Sequence, residues 1–377
     1  FQMFDNPLYR NHWKAGFDYL LKTPNPYTGK ALIDDPQLIG ITFFNEQEHL
    51  FGQKSNDIAR FTPEWRKLRG ASAPEFNFAL LRANTGDGKA ARAFLRKKIK
   101  DMNAFYMGVA KESGFKGFLT NWDMFMRNME GDARADLNAV AMHTYFAHPN
   151  KAKLSPANYK QRLHYGGWWR NQMSTIAQDS SIRINNYIGR AAATRVIGKP
   201  FFMTEYSHCS LNRYVQEYPP MWTAYASLQD WQMLTPHANT VQLYYQPLQA
   251  GFDEAVNPNA GICSLFVAFG WQRGDIQSAK HAVSFYIPEP VLESPDYIGA
   301  IGSGYNALSM LTRIGSDYRN AKNPVADLNI KPESFVGATS MGMYVVLNEE
   351  KEKNLRILHS QVENLRKNSC LLYTSPS

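Results

Sequence analysis

Short apolar runs that stop on polar residues recur through the first two thirds of the chain, with amphipathic stretches between them. The run from Ile39 to Phe44 is β-branched and aromatic and stops at Asn45 and Glu46. A second, from Gly114 through Leu119, ends on Asn121 and Trp122. A third, from Leu137 to Met142, ends on His143 and Tyr145, and a fourth, from Lys199 to Thr204, ends on Glu205 and Tyr206. A fifth, from Asn239, closes on Tyr245 and Gln246. Such runs predict buried parallel strands. Helical spacing is predicted over 11–21, from a capped start at Thr62 and Pro63, over 89–111, over 184–196 and over 217–234. The polar stretch 150–180 carries Tyr165, Trp168 and Trp169 and predicts a loop that covers or shapes a site.

Strands that alternate with helices predict an α/β fold with a parallel sheet. After about residue 250 the pattern changes. Strand-like pieces over 266–286 and 336–347, the best of them Ala279 to Ile287, predict a small β-rich C-terminal appendage over 251–367. Residues 368–377 follow a charged helical stretch without structural logic, and the expectation is a non-native tail.

Composition narrows the class. With 377 residues, 44% hydrophobic and 13% aromatic, the chain can bury a large core and is not of a disordered type. Its 8 Trp and 20 Tyr suit a sugar-binding cleft, where flat rings stack on pyranose faces, as well as ordinary core packing. A net charge of +8 allows a polyanionic partner, but no nucleic-acid-binding motif is present, and no nucleic-acid partner is expected. The basic run Arg92 to Lys100 alternates with apolar residues at helical spacing and reads as the solvated face of a helix. Cys209, Cys263 and Cys370 are too widely spaced for a disulfide framework or a metal pattern. Cys209 either lines a site beside Glu205 or is a small buried hydrophobe. No apolar run reaches the roughly 20 residues that span a bilayer, so no membrane partner is expected. The chain opens at Phe1 with no signal segment, and an upstream piece is expected to have been lost.

Candidate chemistry lies at the strand ends. In an α/β barrel the carboxyl ends of the strands hold the active site. Two carboxyl groups on different strands are the minimum for hydrolysing a glycosidic bond: one protonates the leaving oxygen, and in retaining enzymes the other attacks the anomeric carbon. The ordered set Asn45-Glu46, Asn121-Trp122, His143 with Tyr145, then Thr204-Glu205 resembles the (β/α)8 retaining glycoside hydrolases of clan A, the cellulase-like superfamily. The resemblance covers roughly residues 1–285 and implies a TIM barrel over 1–250. It implies Glu46 as acid/base and Glu205 as nucleophile, with no cofactor and no metal. Asn45 would bind the sugar 2-hydroxyl, Tyr145 would hydrogen-bond Glu205, and His143 would line the sugar subsite. Further substrate contacts are expected from Asn121, Trp122, Trp168, Tyr206 and Tyr245.

The chain departs from that family in one respect. Three strand–helix units precede the Asn-Glu strand in its members, whereas 45 residues precede Glu46 here. The expectation is a partial barrel that lacks strands one to three. The implied substrate is a β-linked poly- or oligosaccharide, and the implied location is secreted or periplasmic. The alternative is a non-catalytic carbohydrate-binding relative or an inactive fragment of such an enzyme. Oligomeric state is not legible.

Overall fold

A computed structural model describes residues 2–47, 58–124, 126–148, 150–151, 162–169, 172–184, 187–237, 252, 257–299 and 307–330. Strand β1 (Gly40–Thr42) lies parallel to β2 (Phe118–Thr120), with Ile41 opposite Leu119. The pairing extends beyond the strands through Phe118 N–H to Ile39 O at 2.9 Å and Phe43 N–H to Thr120 O at 3.1 Å. Strands β3 (Val140–Phe146), β7 (Phe201–His208) and β8 (Met233–Pro236) form a second parallel sheet in the order β3-β7-β8. The two sheets meet where His143 N–H donates to Asp123 O at 2.5 Å. Among the described residues these strands form separate parallel sheets rather than a closed barrel.

The crossover between β1 and β2 is the Gly86–Ser113 helix. Thr85 caps it by accepting from Gly88 N–H at 3.1 Å, and Gly114 ends it at φ +88°, a conformation that glycine adopts without strain. Its buried stripe of Ala91, Leu95, Ile99, Met102, Tyr106, Val109 and Ala110 repeats every three or four residues and faces the core. The Pro7–Lys22 helix packs on it, with the Trp13 ring tilted against Tyr106. The Tyr187–Thr194 helix leads to β7, and the Tyr218–Gln229 helix lies between β7 and β8.

Four expectations are corrected here. The polar stretch 150–180 is not a bare loop: β4 (Asn150–Lys151), β5 (Arg162–Trp169) and β6 (Gln172–Ala177) make an antiparallel sheet in the order β4-β6-β5. The helix read over 217–234 stops at Gln229, because Asp230 turns left-handed at φ 57°, and β8 follows at once. The C-terminal part is not β-rich alone. It holds a helix, Pro258–Phe266, and three parallel strands, β9 (Ala282–Tyr286), β10 (Arg313–Asp317) and β11 (Leu328–Ile330), in the order β10-β9-β11. Its Val283, Phe285, Leu292, Tyr297 and Ile314 join the same hydrophobic core as Leu95, Trp122 and Phe201, so the core is continuous across residue 250. The strand read at 239–246, the pieces at 336–347 and the tail at 368–377 lie outside the described residues.

The basic run is the fourth correction. Arg92 is 1% exposed, and its guanidinium donates to the carbonyls of Leu81, Ala83 and Glu293. Arg96 reaches Asp132 at 2.6 Å and also pairs with Glu289. Asp132 is itself fully buried and is held from the other side by Arg319 at 2.7 Å. Arg92 and Arg96 turn inward because buried carbonyls and carboxylates need donors, while Lys97 of the same run stays on the solvated face.

Candidate active site

Glu46, Asp123, His143, Tyr145 and Glu205 converge at the carboxyl ends of β1, β2, β3 and β7. The convergence depends on one irregularity in β7. Register runs Val140–Phe201, Ala141–Phe202, Met142–Met203, and then His143 faces Glu205, so Thr204 is an extra residue. On the other side Met203 faces Leu234 and Tyr206 faces Pro236, which places the same irregularity between Met203 and Tyr206. The burial pattern of β7 breaks here, with Thr204 and Glu205 both partly exposed between buried neighbours. A bulge of this kind re-aims a side chain. It carries Glu205 to the level of His143.

Backbone strain gathers at the same strand ends. Four non-glycine residues among those described have positive φ, and three of them lie in the turns past the ends of β1, β2 and β3: Glu46 at 49°, Trp122 at 63° and Ala147 at 55°. Such conformations cost on the order of 1 kcal/mol or more each and persist only where neighbours hold them. Glu46 is held by its N–H, which donates to Asp123 Oδ1 at 2.9 Å. Trp122 is held by Asn103, which accepts its indole N–H at 2.7 Å, and by Arg134, which donates to its carbonyl.

The polar contacts form one cluster. His143 Nδ1 lies 3.1 Å from Glu46 Oε1 and 3.5 Å from Glu205 Oε2. Its Nε2 lies 3.4 Å from Asp123 Oδ2. The Tyr145 hydroxyl donates to Glu205 Oε2. Glu46, His143 and Glu205 each present a ligand-type atom within 4.8 Å of the others, an arrangement that could hold a metal ion. Hydrogen bonds between imidazole and carboxylate already account for that approach.

Electrostatics follow from the crowding. Burial pushes the His143 pKa down, but the Glu46 hydrogen bond and the charges of Asp123, Glu205 and Glu46 outweigh it, so the net shift is upward from 6.5. Burial raises Asp123 against the opposing pull of His143. Burial, and then the carboxylate of Glu205, push the Tyr145 hydroxyl well above its ordinary value, so it stays a donor. Cys209 is fully buried behind Tyr145 with Phe252, and burial pushes its thiol up to about 11. It is a small hydrophobe, not a reactive group.

Not every expected site residue lies here. Asn45 is exposed directly beside Glu46. Trp122 is fully buried among core side chains and has no face to offer a sugar. Tyr206 is 1% exposed and packs on Trp222 at 4.5 Å. Asn121 is also fully buried, donating to Gln47 at 2.8 Å beneath the β1 end. These three belong to the support of the site rather than its surface. The Trp168 side chain and Tyr245 lie outside the described residues.

Two residues at the site were not singled out from the sequence. Asp123 directly follows the Asn121-Trp122 strand end, which is the usable signal for it in the sequence. His237 follows β8 directly, with Nδ1 3.8 Å from Glu205 Oε2 and its N–H donating to Tyr206 O at 2.9 Å. It was hidden because β8 was read as the end of a helix.

No protein-family model and no curated protein matches the chain. Among solved structures the chain is similar to the endo-1,4-beta-mannanase from Rhizomucor miehei, at 16% identity and TM-score 0.41 over 72% of this chain and 64% of that one. It is also similar to the endo-beta-1,4-mannanase from Thermotoga petrophila, at 14% identity and TM-score 0.39 over 75% of this chain and 56% of that one. The chain therefore spans less than two thirds of either enzyme, and at these scores neither likeness carries an argument. The α/β class with parallel strands stands on the strand pairing itself. No helix among the described residues is long and apolar enough to cross a membrane.

Proposed function

We propose that the chain is a retaining glycoside hydrolase that cleaves β-linked poly- or oligosaccharides by double displacement. Glu46 is the acid/base and Glu205 the nucleophile. The observation that carries this reading is the approach of the two carboxylates, each presenting an oxygen within 4.8 Å of the other at the ends of parallel strands. Retaining enzymes hold their carboxyl groups about 5–5.5 Å apart, whereas inverting enzymes need about 6.5–9.5 Å to admit a water. The Tyr145 hydroxyl on Glu205 supports the nucleophile role, because a donated hydrogen bond holds that carboxylate in one orientation. On this reading β1, β2, β3, β7 and β8 are consecutive strands of a (β/α)8 barrel, and Asn45 meets the sugar beside the acid/base. A secreted or periplasmic location goes with a polysaccharide substrate.

In the first step Glu205 attacks the anomeric carbon while Glu46 gives its proton to the leaving oxygen. In the second, Glu46 takes a proton from water, which releases the sugar from Glu205 with its configuration retained. The test is hydrolysis of a panel of β-linked substrates, β-1,4-mannan and an aryl β-glycoside among them, by the wild type and by Glu205→Gln. Turnover that falls about 10⁴-fold or more in the variant is the expected result. Sugar binding without turnover in the wild type would make the chain a non-catalytic relative instead.

A further inference from the structure

Beneath the two glutamates lies Asp123, a carboxylate that the double displacement does not use. It is 1% exposed and touches two parts of the site at once. Oδ1 accepts the N–H of Glu46, the residue with φ 49°. Oδ2 faces His143 Nε2 at 3.4 Å, within ion-pair reach, and takes no hydrogen bond among the described residues. The Asp123 carbonyl accepts the His143 N–H at 2.5 Å, so backbone and side chain hold the same histidine. A buried carboxylate with an oxygen open toward a ring nitrogen is costly unless that nitrogen bears a proton and charge. The charged groups facing the His143 ring are Asp123 after β2, Glu46 after β1 and Glu205 on β7.

We propose that Asp123 and His143 form a charge-following pair: Asp123 holds the His143 ring as an imidazolium, and its Nδ1–H follows the negative charge from Glu205 to Glu46 and back. The proposal rests on the assignment of Glu46 and Glu205 above. Nδ1 is 3.1 Å from Glu46 Oε1 and 3.5 Å from Glu205 Oε2, so one N–H serves either oxygen with a small tilt of the ring. At the outset Glu46 carries its proton and Glu205 is the carboxylate. A Glu205 oxygen then forms its bond to the anomeric carbon, the bond to the leaving oxygen breaks, and the Glu46 proton passes to that oxygen. One negative charge has left Glu205 and one has appeared on Glu46. In the second step water adds to the anomeric carbon, its proton goes to Glu46, and the electron pair of the breaking bond returns to Glu205. The imidazolium keeps both protons throughout, and the net charge of the cluster never changes. His143 touches the reacting groups; Asp123 acts through His143 and the Glu46 backbone and is a positioning residue.

The test uses the full chain with ¹⁵N-labelled histidine. His143 ring signals, assigned by their loss in His143→Gln, are followed through a pH titration in the wild type and in Asp123→Asn. The variant keeps an acceptor for the Glu46 N–H but removes the charge that faces Nε2. The wild-type ring is expected to titrate above the ordinary 6.5, and the midpoint is expected to fall in the variant. kcat on an aryl β-glycoside is expected to fall about 10²-fold, with the pH profile moving the same way. A wild-type midpoint at or below 6.5 overturns the proposal without any variant, which covers failure of Asp123→Asn to fold. A midpoint that the substitution leaves in place also overturns it, whatever happens to kcat. If no β-linked substrate is cleaved while the midpoint still responds, the reading of the two glutamates is overturned and the charge-following step with it; only the buried pair remains.

Discussion

Two regions of the molecule bury carboxylates, and they do so in opposite ways. Behind the Gly86–Ser113 helix, Asp132 is fully buried and faces Arg96 at 2.6 Å, Arg319 at 2.7 Å and Lys100 at 3.9 Å. There one carboxylate has several cations. At the strand ends, Glu46, Asp123 and Glu205 crowd around the imidazole of His143, with the His237 imidazole farther off at 3.8 Å from Glu205. There several carboxylates crowd one buried imidazole, whose charge is conditional on pH. The first arrangement satisfies its charges and ties the helix to the C-terminal strands. The second gathers like charges around a titratable group, as a site must whose work is to move protons and negative charge. Carboxylates matched by permanent cations mark structure here, and carboxylates crowded on an imidazole mark chemistry.

The comparison breaks at its strongest point if Asp132 is removed. Asp132→Ala takes the buried carboxylate from Arg96 and Arg319, which keep only Glu289 and Asp136 nearer the surface, and is expected to cost about 3 kcal/mol in denaturant unfolding. Glu205→Gln is expected to do the reverse: to leave stability unchanged or raise it, by relieving like-charge crowding, while abolishing turnover. Equal destabilisation by both substitutions would erase the distinction.

The two buried histidines of neighbouring strands sharpen it further. His143, on β3, is 3% exposed and shifts upward. His208, at the end of β7, is 1% exposed and is pushed down to about 4, by burial, with Glu217 only partly opposing. The depressed group supplies stability above its unfolded value of 6.5 that is lost as pH falls toward 4, because the unfolded state binds the proton first. That loss is expected to reach roughly 3 kcal/mol in wild-type unfolding and to be absent in His208→Gln. The raised group has the opposite sign. His143 contributes stability below 6.5 that disappears as pH rises through its folded midpoint.

The smallest effect concerns the tyrosine. Tyr145→Phe removes the hydroxyl that donates to Glu205 and keeps the ring against Phe252, at 5.1 Å. A hydrogen bond to a charged group contributes about 1.5–3 kcal/mol, so kcat/KM is expected to fall about tenfold to a hundredfold with little change in stability. A change confined to KM would place Tyr145 in binding rather than in holding Glu205.

What the sequence made legible follows the same division. Glu46, His143, Tyr145 and Glu205 could be named because each ends a short apolar run, and parallel strands bring their carboxyl ends together. Trp122 and Tyr206 end runs too, but a strand end presents one side chain outward and the next to the core. An aromatic residue there reads as platform or core filler until the backbone decides. Trp122 turned inward with φ 63°, and Tyr206 fell on the buried side after the Thr204 bulge. That bulge has no sequence signature, and without it the alternation of β7 is misassigned. His237 was missed because the helix before β8 ends on Asp230 in the left-handed conformation, where a glycine would have announced the stop. The C-terminal strands were seen as β without their parallel order, since pairing partners far apart in sequence leave no local pattern.

The most direct measurement is mass spectrometry of the protein after reaction with a 2-deoxy-2-fluoro aryl β-glycoside, a reagent that forms the glycosyl-enzyme quickly and releases it slowly. The expected result is one sugar in ester linkage on the peptide that holds Glu205, formed at a reduced rate in Glu46→Gln because the acid is gone. An adduct on Glu46, or hydrolysis that yields the inverted anomer with no adduct, would contradict the assignment of both glutamates.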